Sequence, residues 1–180
     1  MHLQTHVMSG WLAANCFDLT PRQRFFCMLA AAVPDLDGLG IVVGGDAYLK
    51  YHHVLGHNLL FAVIVSVLLA WWSERQRWKA LAIYFGLFHL HLLLDLVGSG
   101  ELWTIQYLWP FSAREFSTEY CWAFYSWQNL TAGGLALVLT IGVIFWRKRT
   151  PLEYVMPKLD RDLTAWFLRR RQSRKCESSK

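Results

Sequence analysis

Three apolar segments constrain this chain more than any other feature. They are residues 58–72 (NLLFAVIVSVLLAWW), residues 80–94 and residues 130–146, and none contains Asp, Glu, Lys or Arg. The first two are shorter than the ~20 residues of a full membrane span. The third is followed at once by the basic residues 147–149, as at the cytoplasmic end of a transmembrane helix. Because 54% of the residues are hydrophobic and ten are Trp, composition also favours a membrane protein.

The segments around these runs predict an all-α fold. Asp18 or Thr20 can cap a helix that opens at Pro21, and Pro34 favours its end. The glycine-containing segment 38–51 reads as a loop or a broken helix. We therefore predict a helical membrane bundle of four to five helices over residues 1–149, with a metal site at one end. Residues 150–180 form a separate basic tail.

The net charge of +5 is concentrated in that tail. From Arg147 onward there are eleven Lys and Arg against four Asp and Glu. Leu159, Leu163 and Trp166 recur at helical spacing, which predicts an amphipathic helix on the cytoplasmic membrane surface. A basic segment beside a membrane span indicates the lipid bilayer as the partner, and no nucleic acid is expected. The four Cys show no C-x-x-C spacing, so neither a disulfide framework nor a thiolate metal site is expected.

Charge placement predicts the orientation of the bundle. The loop SERQRWK (73–79) is basic and is expected in the cytoplasm, so the opposite ends of its two helices face outward. The same rule puts the end of the second helix, which begins near Arg22 and Arg24, on the outer side. The outward ends then carry most of the His and Asp side chains that could bind a metal: His6, Asp35, Asp37, His57, His91 and Asp95.

Spacing within these segments suits metal ligation. His91 and Asp95 are separated by four residues, so they lie on one face of a helix. His57 can join them with either His52 or His53, and the sequence leaves that choice open. Imidazole and carboxylate together suit Zn²⁺, with Mn²⁺ or Fe²⁺ as alternatives.

Some of these polar residues also have a structural interpretation. His89 lies on a different helix face from His91, and we expect it to be hydrogen-bonded in the core. Asp37 can bind metal, orient a ligand or tighten the PDLDG turn. His2 is a weaker ligand candidate than His6 because a terminus frays.

Five motifs resemble a family in order and spacing: THVMSG (5–10), PDLD (34–37), HHVLGHN (52–58), HLLLD (91–95) and YLWPFSAREF (107–116). They are similar to those of the membrane-bound metal-dependent hydrolases of the YdjM-like group, LexA-regulated inner-membrane proteins. The resemblance implies a multi-pass protein of the bacterial inner membrane, distantly like zinc-dependent phospholipase C. It implies a ligand set that matches the motif positions: His6, Asp35, His52, His57, His91 and Asp95.

This chain departs from the group at one motif. Members often show H-R-G-x-T-H-S, whereas this chain has H-H-V-L-G-H-N and so lacks an arginine suited to clamping phosphate. Arg114, beside WPFS, is the nearest replacement for substrate binding.

The leading functional prediction is a metal-dependent hydrolase of phosphoester or lipid-linked substrates that uses a metal-activated water. Asp37 and Asp35 are the carboxylates expected to take part in catalysis. One alternative is a non-catalytic membrane protein that binds or transports metal ions, because His and Asp also line ion pathways. Another is a haem protein with paired histidine ligands, which gives the aspartates no role.

Overall fold

The protein is all-helical in the computed structural model, which describes the backbone of residues 1–177 and the side chains of residues 1–167. Within that part it has seven α-helices and one 3₁₀ helix. In order they are α1 (Leu3–Ala14), α2 (Pro21–Ala30), the 3₁₀ helix (Val33–Val42), α3 (Gly45–Tyr51), α4 (Leu59–Trp71), α5 (Arg77–Gly98), α6 (Trp127–Arg147) and α7 (Pro157–Glu177).

Residues 1–149 contain seven helices rather than the predicted four to five. The 3₁₀ helix and α3 account for the excess, and α3 with the second half of the 3₁₀ helix lies in the segment 38–51, predicted as a loop or a broken helix. The glycines there made these short helices difficult to predict, because Gly has a low intrinsic helix propensity. We call residues 33–51 the 33–51 hairpin, because the 3₁₀ helix and α3 pack on each other.

Local signals set several helix boundaries. Thr20 and Gln23 form a reciprocal capping box at the start of α2, with Pro21 in its first turn. The Asn58 side chain accepts from the backbone N–H of Phe61 and caps α4. The Ser126 hydroxyl accepts from the N–H of Asn129 at the start of α6.

Two helices, α5 and α6, are long and apolar enough to cross a membrane. The α2 and 3₁₀ helices satisfy the same criteria as a pair, bent by 53°, so they form a third candidate as a broken span or re-entrant loop. At 13 residues, α4 is an apolar helix of less than full span length. The run at 80–94 belongs to a 22-residue helix, because its polar flanks also adopt helical conformation.

The core lies between α1, α2, α4 and α5. Trp11, Tyr84 and Phe88 are fully buried there, and Phe61 packs edge-on against Phe88. Gly10 permits the closest approach of α1 to α2: a Cβ at this position would lie 2.7 Å from the carbonyl oxygen of Cys27. These contacts pack the four helices together, and the polar motifs meet at one end of the resulting bundle.

The basic tail begins with turns at residues 151–155 and continues as α7, which packs on α6. The rings of Phe145 and Phe167 meet edge-on with centroids 5.2 Å apart, while Leu159 and Trp166 are exposed. Residues 178–180 of the predicted tail lie outside the described part of the chain.

Candidate metal centre

Four polar side chains from three segments meet at one end of the bundle. Asp35 comes from the 3₁₀ helix, and His57 lies just before α4. His91 and Asp95 project from one face of α5, as their four-residue spacing predicts. Together these four residues form a group whose ligand atoms all lie within 4.8 Å of one another.

The distances within this group fit one small divalent cation. The Nε2 atoms of His57 and His91 are 3.1 Å apart and lie 3.2 and 2.8 Å from Asp95 Oδ2. Asp35 Oδ1 lies 3.9 Å from His57 Nε2 and 3.7 Å from His91 Nε2. A tetrahedral ion with bonds of about 2.0–2.1 Å would separate its ligand atoms by roughly 3.3 Å, within the observed range.

Hydrogen bonds on the far side of each imidazole set its orientation. His91 Nδ1 is 2.8 Å from the carbonyl oxygen of Ala31, and His57 Nδ1 is 3.0 Å from Asp37 Oδ2. Both acceptors require Nδ1 to carry a proton, so in the neutral rings Nε2 presents a lone pair. Two such lone pairs and the Asp95 carboxylate converge, an arrangement that a shared cation or an added proton stabilises.

Asp37 orients two histidines from outside the group. Its Oδ1 lies 2.6 Å from His52 Nδ1, and its Oδ2 accepts from the N–H of Gly56 at 2.9 Å as well as from His57. Gly56 is needed because a Cβ there would lie 2.1 Å from the carbonyl oxygen of Pro34. Both carboxylate oxygens of Asp37 are thus engaged within the protein, which suits positioning rather than direct metal binding.

The surroundings of His57 change its affinity for protons. Burial lowers the pKa of His57, but hydrogen bonds to Asp37 and Asp95 outweigh this effect and raise the pKa to about 9. In the metal-free protein at neutral pH, a second proton on His57 therefore offsets part of the charge of the two carboxylates. Metal binding must displace that proton.

His6 approaches the other oxygen of Asp95. Its Nε2 is 3.1 Å from Asp95 Oδ1, and its ring contacts that of His91, with centroids 3.8 Å apart and the planes tilted by 31°. The Ser99 hydroxyl donates to the same oxygen at 3.1 Å, and the Met1 amino group also contacts it. His6 thus adjoins the four-residue group through the shared carboxylate.

The sequence left open whether His52 or His53 joins His57, and the structure distinguishes the two. His52 bonds to Asp37 and stacks on Tyr48, so its ring lies outside the four-residue group. His53 is buried, with Nε2 3.9 Å from Asp95 Oδ2 and its ring stacked on His57. Its backbone is left-handed, with φ of 66°, and burial lowers its pKa well below the usual value, which favours a neutral ring. No sequence signal identified this conformation.

A cleft of about 280 Å³ leads to the group from outside. Asp35 and Asp95 line it, and aromatic side chains form much of its wall. The aromatic lining residues are Tyr48, Trp103, Phe124 and Tyr125. A neighbouring cleft of about 550 Å³ shares His52 and Trp103 with it.

Three residues considered in the sequence lie apart from the group. His89 is hydrogen-bonded to the carbonyl oxygen of Phe85 at 2.8 Å and to the Tyr107 hydroxyl at 2.9 Å, so it has a structural role. His2 packs edge-on against Phe124. Arg114 is exposed over the ring of Phe116 and is not among the residues lining the 280 Å³ cleft.

Comparison with protein families gives one match. The sequence profile described as YdjM inner membrane protein matches residues 1–157, which include every residue of the candidate centre. No curated protein and no solved structure matches the chain. The family and the apolar helices together identify a membrane protein. The match covers most of the chain and confirms the resemblance seen in its motifs: this protein belongs to the YdjM inner membrane protein family.

Proposed function

We propose that the protein is a membrane-bound metal-dependent hydrolase of phosphoester or lipid-linked substrates. The observation that carries this proposal is the exposure of the ligand group on one side only. His57, His91 and Asp95 are buried, whereas the Asp35 side chain is 18% exposed and lines the cleft. Structural metal sites are closed, and catalytic sites keep a position open to water and substrate.

The residues of this chain would hold the ion and orient its surroundings. His57, His91 and Asp95 would hold the ion from the buried side, with Asp35 on the cleft side, where a position must stay open for water. Asp37 and the carbonyl oxygen of Ala31 fix the two imidazoles. A bound divalent cation, best Zn²⁺ with Mn²⁺ or Fe²⁺ as alternatives, would lower the pKa of a water and polarise an ester oxygen. We assign Asp35 the role closest to the reaction, since it joins the ligand group to the cleft.

The first experiment counts metal atoms per chain in detergent-purified protein by elemental analysis. The wild type is compared with Asp95→Ala and His57→Ala, and with the near-isosteric Asp95→Asn in case the alanine variants unfold. His89→Gln is the matched control, because His89 is a histidine of the same helix bonded outside the group. We expect metal in the wild type and the control and its loss in the others.

Hydrolysis is then measured on metal-loaded protein with phosphodiester and phospholipid substrates. Turnover that disappears with the metal supports the proposal. Stoichiometric metal without turnover of any phosphoester would instead favour the non-catalytic alternative, a protein that binds or conducts metal ions. If the wild-type protein binds no metal after reconstitution with zinc, manganese and iron, both the hydrolase proposal and the non-catalytic alternative are contradicted.

A further inference from the structure

The 33–51 hairpin exposes a group of aliphatic side chains beside two exposed charged residues, Asp46 and Lys50, while its inner side supplies Asp35 and Asp37 to the centre. Val42 and Val43 are 83% and 84% exposed, and Leu39 is 61% exposed. Leu49 of α3 is also exposed, at 68%. Exposed aliphatic side chains grouped on one short segment mark an interaction surface.

The position of the hairpin identifies the bilayer as the partner of this surface. Its 3₁₀ helix continues from α2, and the bent pair is apolar enough to enter a membrane. Helical hydrogen bonding satisfies most of the backbone there, as hydrocarbon requires. Only 39% of the apolar 18-residue stretch of α5 and 22% of that of α6 are buried within the protein, so the remainder of these helices also needs lipid around it. The hairpin surface therefore belongs to the lipid-facing part of the molecule.

The mouth of the 280 Å³ cleft carries markers of the membrane interface. Tyr125 lines the cleft and is 84% exposed, and Trp127 begins α6 two residues later and is 71% exposed. Tyr48 of α3 forms another part of the lining. Tyr and Trp concentrate at the level of lipid headgroups, where one side of the ring is apolar and the other is wet.

The size and lining of the cleft limit what it can take in. Its volume is at the small end of ligand sites, which run from about 300 to 1,000 Å³, so a headgroup fits better than a whole lipid. None of the described side chains that line it is a lysine or arginine, which leaves the centre itself to attract a phosphate.

We propose that the exposed aliphatic side chains of the 33–51 hairpin, centred on Val42 and Val43, insert among the acyl chains of one leaflet and that the cleft receives the phosphate headgroup of a membrane lipid. The acyl chains stay in the bilayer beside the hairpin. The assignment of this lipid as substrate rests on the proposed hydrolase function, whereas the insertion does not.

The test measures the depth of single fluorescent labels in vesicles of phosphatidylcholine and phosphatidylglycerol. In a cysteine-free background, Val42→Cys labels the hairpin, Tyr125→Cys labels the cleft mouth and Glu119→Cys is the exposed control. Each label is exposed to a nitroxide on the acyl chain, a nitroxide on the headgroup and aqueous iodide. All three variants are checked for folding by retained thermal unfolding.

We expect the Val42 label to be quenched at least several-fold more by the acyl-chain nitroxide than the Glu119 label, and to be protected from iodide. The headgroup nitroxide should quench the Tyr125 label most strongly. Iodide quenching at position 42 equal to that at position 119 would overturn the insertion, and protection from all three quenchers would show that protein covers the hairpin instead. A Tyr125 label reached by iodide alone would overturn headgroup access. Quenching needs neither metal nor turnover, so these outcomes are independent of whether the hydrolase proposal fails.

Discussion

Asp37 allows the role of a positioning residue to be tested apart from that of a ligand. Its oxygens hold His52 and His57 without belonging to the four-residue group. Asp37→Ala should therefore lower metal affinity about 10- to 100-fold, as expected when the partner of a ligating histidine is lost. Asp46→Ala, an exposed carboxylate on the same hairpin, is the control, and affinity is measured by Mn²⁺ titration. Equal affinities for the two variants would contradict the assignment.

The proton on His57 gives a second prediction at this scale. The pKa of His57 in the folded, metal-free protein is raised from 6.5 to about 9. Protonated His57 therefore stabilises the folded protein fully below about pH 6.5, and this stabilisation is lost as the pH rises through about 9. Because metal must displace this proton, apparent affinity should increase by roughly tenfold per pH unit from about 7 to 9 and then level off. Mn²⁺ affinity measured at each pH checks this. Affinity independent of pH over that interval would show that His57 is already neutral.

Residue spacing in the sequence predicted only part of the candidate centre. The interval between His91 and Asp95 was enough to place both on one helix face, because helical periodicity is local. The choice between His52 and His53 depended on a left-handed backbone at His53, which no residue type there encodes. The hydrogen bond from Asp37 to His57 depended on the path of a loop held against Pro34 by Gly56.

At the scale of elements, the packing of α1 on α2 gives a stability prediction. An alanine side chain at Gly10 would meet the α2 backbone, 2.7 Å from the carbonyl oxygen of Cys27 and 3.1 Å from the Cα of Met28. Gly10→Ala should therefore destabilise the protein by about 1–3 kcal/mol. Gly86→Ala is the matched control, since Gly86 is in α5 with open space around it, and it should be neutral or stabilising by up to about 1 kcal/mol. Thermal unfolding in one detergent compares them, and similar shifts for both would disprove the close contact.

The long helices were predictable because their signals are repeated over many residues. Apolar runs marked α4, α5 and α6, and Pro21 with its preceding cap marked α2. The 3₁₀ helix and α3 were not predicted, because their hydrogen bonds are stabilised by packing between two short segments rather than by propensity.

At the scale of the whole molecule, basic residues gather at the end opposite the metal group. Arg22 of α2 pairs with Glu74 in the turn between α4 and α5, and Arg147 at the end of α6 donates to the carbonyl oxygen of Asn15. We propose that this end and the tail face the cytoplasm and that the candidate centre faces outward.

Labelling in intact cells tests this orientation. With a membrane-impermeant maleimide in a cysteine-free background, Glu119→Cys should react before lysis and Arg75→Cys, in the α4–α5 turn, only after it. Both positions are exposed, so a difference between them reports the side of the membrane. The reverse pattern would place the centre on the cytoplasmic side.

The four residues of the candidate centre all lie within the first 95 positions of the chain, whereas the cleft wall includes Phe124 and Tyr125. Along the sequence, the four-residue group is therefore complete before the last part of the cleft wall. Asn129 joins the two parts, since its side chain donates to the carbonyl oxygens of Gly98 and Phe124. The cleft is thus finished only where α6 packs on the rest of the bundle, so a change at this junction should alter the shape of the cleft while leaving the four-residue group intact.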